Sequence, residues 1–167
     1  MPRHPLGALI LVVSLLGSIS PGGIHGAFAR KALPPAVAAV DRTALAGSWN
    51  GTWTGGSFTY DAIATLDVDA IGNISGTIIW TLRSTPSSDG KNRVGMRAIE
   101  YVSGKYYPET GAVVLDGYRK DDPNGIWESD KYRLILSPTH ATMGGITAEH
   151  DSWAGQLFLR RQADSTQ

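Results

Sequence analysis

The sequence predicts an all-β protein: an antiparallel up-and-down β-barrel of about eight short strands. Three observations carry this. Apolar and polar residues alternate with period two through most of residues 47–161, the mark of half-buried strands. Turn-forming clusters recur at short intervals and join consecutive runs as a meander does. The chain holds 20 glycines and only 18% charged residues in 167 positions, a mix that suits a curved sheet, because glycine permits bends and bulges. About eight such strands tend to close, since closure removes both hydrogen-bonding edges. A two-sheet sandwich is the alternative, because alternation alone does not separate it from a barrel.

The first 29 residues read as an export signal. Arg3 and His4 form a basic start, residues 6–16 are almost wholly apolar, and Ala27-Phe28-Ala29 is a small-x-small cleavage site. The apolar run is shorter than the roughly 20 residues a spanning helix needs, so no membrane span is expected after cleavage. The protein is expected to be exported, to a periplasm or to the cell exterior. Cleavage after Ala29 removes Arg3 and no acid. It leaves 14 basic and 15 acidic side chains, a net charge of −1. Residues 30–46 contain Pro34-Pro35 and small residues without a period, and read as a flexible tether. The folded domain is expected over 47–161, with a disordered tail at 162–167.

Within the domain, Phe58, Tyr60, Ala62, Ala64, Leu66 and Val68 share one face of a strand. Asp69 to Asn73 supplies a turn. Ile74, Ile78, Trp80 and Leu82 then share a face, and a polar loop with Pro86 follows. Val94, Met96, Ala98 and Val102 fall in phase, with Glu100 in that same inward phase. Pro108 to Gly111 closes a hairpin. A charged loop spans 118–132, Tyr132, Leu134 and Leu136 mark the next strand, and Ser137 to His140 turns it. In the last strand Trp153, Leu157 and Leu159 are expected on one face.

Several function classes are excluded by what the chain lacks. There is no cysteine, so disulfides, thiolate chemistry, Cys-ligated metals and a Cys-anchored lipoprotein are out. Lys+Arg and Asp+Glu both number 15, which gives no basic field for nucleic acid. No nucleophile elbow, zinc-protease helix or phosphate loop is present. The two histidines after the signal, His140 and His150, leave no three-His metal site. No catalytic residue, metal or cofactor is assigned. A carboxylate pair from Glu100, Asp121, Asp122, Glu128 and Asp130 is the one catalytic option, of the glycosidase kind.

Gly51-Thr52-Trp53, Ile74-Ser75-Gly76-Thr77, Val102-Ser103-Gly104-Lys105-Tyr106 and Trp153-Ala154-Gly155-Gln156 together resemble the avidin/streptavidin family. The chain is more loosely similar to lipocalins, which open on a Gly-x-Trp strand like Gly47-Ser48-Trp49. The resemblance implies an avidin-like barrel. It also implies that Ser57, in the shortened loop Thr54-Gly55-Gly56-Ser57, matches a ligand-binding Ser and Trp153 a pocket Trp. The family's ligand, biotin, is not implied: the loop Asn is missing, Ile78-Ile79-Trp80 stands where the family has Tyr-x-Ser, and the family's later pocket Trp and Asp have no counterpart.

The expected function is that of an exported, soluble, non-enzymatic β-barrel binding a small or extended ligand, such as a small molecule or a glycan, at its open end. The expected ligand-binding residues are Glu100, Tyr60, Trp80, Trp127, Tyr118, Ser57 and Trp153. A carboxylate in an inward strand phase must find partners or water. Glu100 is therefore either a polar anchor in a cavity or a structural group. Trp53, Tyr60, Trp80 and Trp153 either line a pocket or fill the core. Trp127 sits in the charged loop and is expected to be exposed, as an anchor for a sugar or a protein partner; folding back as a lid is the other option. The acids of Asp121 to Asp130 either hold a cation or cap backbone amides and pair with neighbouring bases. The alternative functions are a filled barrel acting through the 118–132 loop on a protein partner, and a carboxylate hydrolase.

Overall fold

Eight antiparallel strands close into a barrel in simple sequential order, each pairing with the next and the first with the last. They are β1 (Gly47–Gly55), β2 (Phe58–Val68), β3 (Asn73–Ser84), β4 (Arg97–Tyr107), β5 (Ala112–Asp121), β6 (Lys131–Leu136), β7 (Thr142–Glu149) and β8 (Ser152–Arg161). The structure is a computed structural model that describes residues 40–88, 90–149 and 152–163. The expected signal peptide at 1–29, residues 30–39 of the expected tether and residues 164–167 of the expected tail lie outside the described residues. The all-β barrel is thus observed, and the sandwich is not.

The alternation places the core as expected. Tyr60, Ala62, Ala64, Leu66 and Val68 of β2 are buried, as are Ile74, Ile78, Trp80 and Leu82 of β3. Small inward residues make room for large ones: Ala62 and Ala98 are the strand partners of Trp80 on either side, and Trp80 is fully buried. Such alternation of large and small is what fills the narrow interior of an eight-stranded barrel.

Three stretches depart from the expected phase, each for a local reason. Val94 and Met96 are exposed and precede the strand. A short 3-10 helix at Lys91–Arg93 and Gly95 at φ 89 break the extended run, so β4 starts at Arg97. β5 continues to Asp121, which shortens the expected 118–132 loop to 122–130. Tyr118 is an extra residue in β5: Val102 pairs with Gly117 and Tyr101 with Arg119. In β8, Gly155 pairs with Thr147 and Trp153 with Ala148. The extra residue, Ala154, reverses the phase, and Trp153 turns outward beneath the Arg133 guanidinium, 4.5 Å from the ring centre.

The two ends of the barrel differ. At one end residues 40–46, expected as the last part of the tether, pack on the barrel. A 3-10 helix at Arg42–Ala44 is capped by Asp41, and Ala44 and Leu45 are buried. Leu45 O accepts from Trp49 Nε1 at 3.0 Å. Arg161 of β8 clamps this segment: its guanidinium lies 4.3 Å over the Trp49 ring and donates to the carbonyls of Ala46 (2.8 Å), Ala44 and His140 (3.0 Å). The other end carries the β1–β2, β3–β4, β5–β6 and β7–β8 connections, and the candidate site lies there.

Candidate functional site

The site is organised by a carboxylate inside the barrel. Glu100 is in the inward phase of β4, as the alternation indicates, and it is fully buried. Its partners are four donors and no cation among the described contacts. Oε2 accepts from Trp80 Nε1 (3.0 Å), Trp127 Nε1 (3.1 Å) and the Tyr132 hydroxyl. Oε1 accepts from the Asp130 amide at 3.0 Å. Burial pushes the Glu100 carboxyl up to about 7, against the lowering effect of the bonds from Tyr132, Asp130 N–H and Trp80. Burial and the facing Glu100 push the Tyr132 phenol well above its ordinary value. Gly117 of β5 is required beside this carboxylate, because a Cβ there would stand 1.9 Å from Glu100 Oε1.

Trp127 is buried rather than exposed, the reverse of the expected exposed anchor. Its indole enters the barrel and stacks on Trp80 with ring centres 3.9 Å apart and planes at 17°. Tyr60 and Trp53 meet it edge-on, at 4.9 Å and 5.2 Å. Segment 122–130 folds over the mouth because several side chains hold its backbone. The Asp122 carboxylate accepts from Ile126 N (3.1 Å) and Trp127 N (2.9 Å). Tyr60 O–H donates to Ile126 O. Arg93 Nη1 donates to Gly125 O at 2.8 Å, and Lys120 Nζ to Trp127 O at 2.6 Å and to Glu128 at 2.7 Å. Asp122 thus acts as a cap and Glu128 as an ion-pair partner, in line with the second of the two expected roles. No group of three or more His, Asp or Glu among the described residues is placed to hold a metal ion.

Above the indole is a cleft of about 240 Å³. Trp53, Phe58, Tyr60 and Trp127 form its aromatic walls, and Arg93, Glu128, Asp130 and Glu149 its polar border. Burial, and after it the charge of Asp122, pushes the Tyr60 phenol up to about 12, so Tyr60 stays a hydrogen-bond donor at physiological pH. The arrangement suits capture of a flat, partly apolar molecule, with polar groups at its edge for orientation.

Of the expected binding residues, Tyr60 and Trp127 line this cleft. Trp80 and Glu100 lie beneath it, behind Trp127. Ser57 is exposed at the tip of the β1–β2 turn, at φ 72 beside Gly56 at φ 54. Tyr118 is 63% exposed on the outer wall, near Tyr101, and Trp153 faces outward. These three are not brought to the cleft. Sequence reasoning missed Arg93, Tyr132 and Gly117. A Gly inside a strand does signal a close approach, but several of the chain's glycines share that signal. Comparisons of the chain with known protein families, with curated proteins and with solved structures find no match.

Proposed function

We propose that the protein is an exported, non-enzymatic barrel that captures a small molecule at its mouth, in the cleft walled by Trp53, Phe58, Tyr60 and Trp127. The cleft is the observation that carries this: it is concave, aromatic and edged by charge, at the end that carries the β1–β2, β3–β4, β5–β6 and β7–β8 connections. The avidin-like and lipocalin-like resemblances add weight to the barrel mouth as a binding end, without pointing to biotin. Binding rather than catalysis is favoured because the fully buried carboxylate, Glu100, already spends its acceptors on four protein donors.

A second reading rests on the filled interior. Trp80, Trp127 and Tyr132 occupy the lumen, which favours a filled barrel that works by touching a protein partner. Burial of Trp127 removes the aromatic anchor that this reading placed on the loop.

The test is native mass spectrometry on the protein from its own host's exported fraction, followed by uptake from a panel of small aromatic molecules. A stoichiometric extra mass, lost on Tyr60→Ala, is expected. A bare mass in the first experiment and no uptake in the second would refute the small-molecule reading in favour of the protein-partner one.

A further inference from the structure

The lumen beneath the cleft has the features of a binding box whose occupant is part of the chain. One face is the Trp80 ring, and the edges are Tyr60 and Trp53. The far end is Glu100 Oε2, which reads the occupant's N–H at 3.1 Å. A buried carboxylate with four neutral donors is a costly way to fill a core, because desolvation of the charge must be offset by hydrogen bonds alone. A plain hydrophobic plug would need no such group. Consistency between sequence and fold breaks here, which is where functional sites tend to lie.

The occupant also comes from the part of the wall that can leave. β5 pairs with β6 only from Ala112 to Asp116, opposite Ile135 to Lys131. Beyond Asp116, β5 keeps one more backbone bond on that side, from Gly117 N–H to Asp130 O at 2.9 Å, and is otherwise laddered to β4 alone. Segment 122–130 covers that gap mainly through bonds to side chains of Asp122, Arg93, Lys120, Tyr60 and Glu100 rather than through a strand ladder. Releasing Trp127 therefore breaks at most one backbone bond, Gly117 N–H to Asp130 O, and none of the paired register of β5 and β6. It would join the box to the cleft, since Trp53, Tyr60 and Trp127 border both.

We infer that the space filled by Trp127 is a subsite for a flat heteroaromatic molecule bearing a ring N–H, and that segment 122–130 closes the empty barrel by placing the chain's own indole there. The inference rests on the reading of the mouth as a binding end, and names the class of molecule that end takes. The incoming ring stacks on Trp80 and donates its N–H to Glu100. Trp127 moves out with the loop.

The test uses the intact protein with indole as probe, and 1-benzothiophene as a probe of nearly the same shape that lacks the N–H. Trp127→Gly vacates the box. It is expected to bind indole saturably, and 1-benzothiophene about tenfold or more weakly, the factor expected for loss of one hydrogen bond to a charged acceptor. Asp122→Ala removes two bonds that hold the loop but keeps the box intact. It is expected to bind indole about tenfold more tightly than the unaltered protein, because a larger fraction is open. In the unaltered protein, indole should raise amide hydrogen exchange across 122–130. If Trp127→Gly does not fold, the Asp122→Ala and exchange results decide alone. Folded variants that ignore indole, or a vacated box that takes both probes equally, overturn the inference. Uptake of a small molecule with exchange of 122–130 unchanged would overturn it while leaving the mouth reading intact. No uptake in any form of the protein would remove both.

Discussion

The sharpest expectation concerns Glu100 and pH. Its carboxyl titrates at about 7 in the folded chain against an ordinary value of 4.5, chiefly through burial. A raised value means that the folded state holds the proton over a range in which the unfolded state has released it. Between pH 4.5 and 7 the unfolded chain therefore binds fewer protons, and stability falls as pH rises through that window. Glu100 adds its full share below the unfolded value and loses it as pH passes the folded one. A shift of this size corresponds to about 3 kcal/mol. The perturbation is Glu100→Gln, which cannot ionise. Other carboxylates are common to both proteins and cancel in the difference. Urea midpoints measured from about pH 4 to about pH 8 should show the unaltered protein losing about 3 kcal/mol relative to the variant across the window. The absolute offset depends on how Gln meets the Tyr132, Trp80 and Trp127 donors, so the slope is the informative quantity. A difference that stays flat with pH would refute the reasoning. It would mean that the four donors hold the Glu100 carboxyl near its ordinary value despite burial.

Three further substitutions check the surroundings of this group and the other end of the barrel. Gly117→Ala places a Cβ 1.9 Å from Glu100 Oε1; overpacking of this kind should cost about 1–3 kcal/mol in a thermal melt, and move the Glu100 titration as well. Arg161→Ala removes the guanidinium from Trp49 and from the carbonyls of Ala44, Ala46 and His140. It should cost about 2–4 kcal/mol by the loss of charge-assisted bonds and stacking, with amide exchange rising first in residues 40–46. Trp153→Ala, on the outer wall, should change stability by less than about 1 kcal/mol; a loss as large as a core Trp deletion would show that Trp153 is turned inward.

Strand positions and facing were legible where alternation ran unbroken. Tyr60 to Val68 in β2 and Ile74 to Leu82 in β3 are buried on the expected face, because period two follows from local pleat geometry that each residue carries with it. The inward phase of Glu100 was legible for the same reason. Its role was not, since the donors come from Trp80, Trp127, Asp130 and Tyr132, which lie 20, 27, 30 and 32 residues away. Charge and a turn signature in residues 121–130 pointed to an exposed loop. Asp122 instead turned that loop inward by capping the amides of Ile126 and Trp127.

By itself, then, the sequence determined an all-β chain of short strands with Glu100 facing inward, because alternation is enforced residue by residue. Only the tertiary structure decided that Trp127 lies inside the barrel on Trp80 and that Trp153 lies outside on Arg133. It also decided that Ala44 and Leu45 belong to the core. These outcomes depend on bulges at Tyr118 and Ala154 and on contacts between residues far apart in the chain. The free energy of such contacts exists only once the barrel has closed.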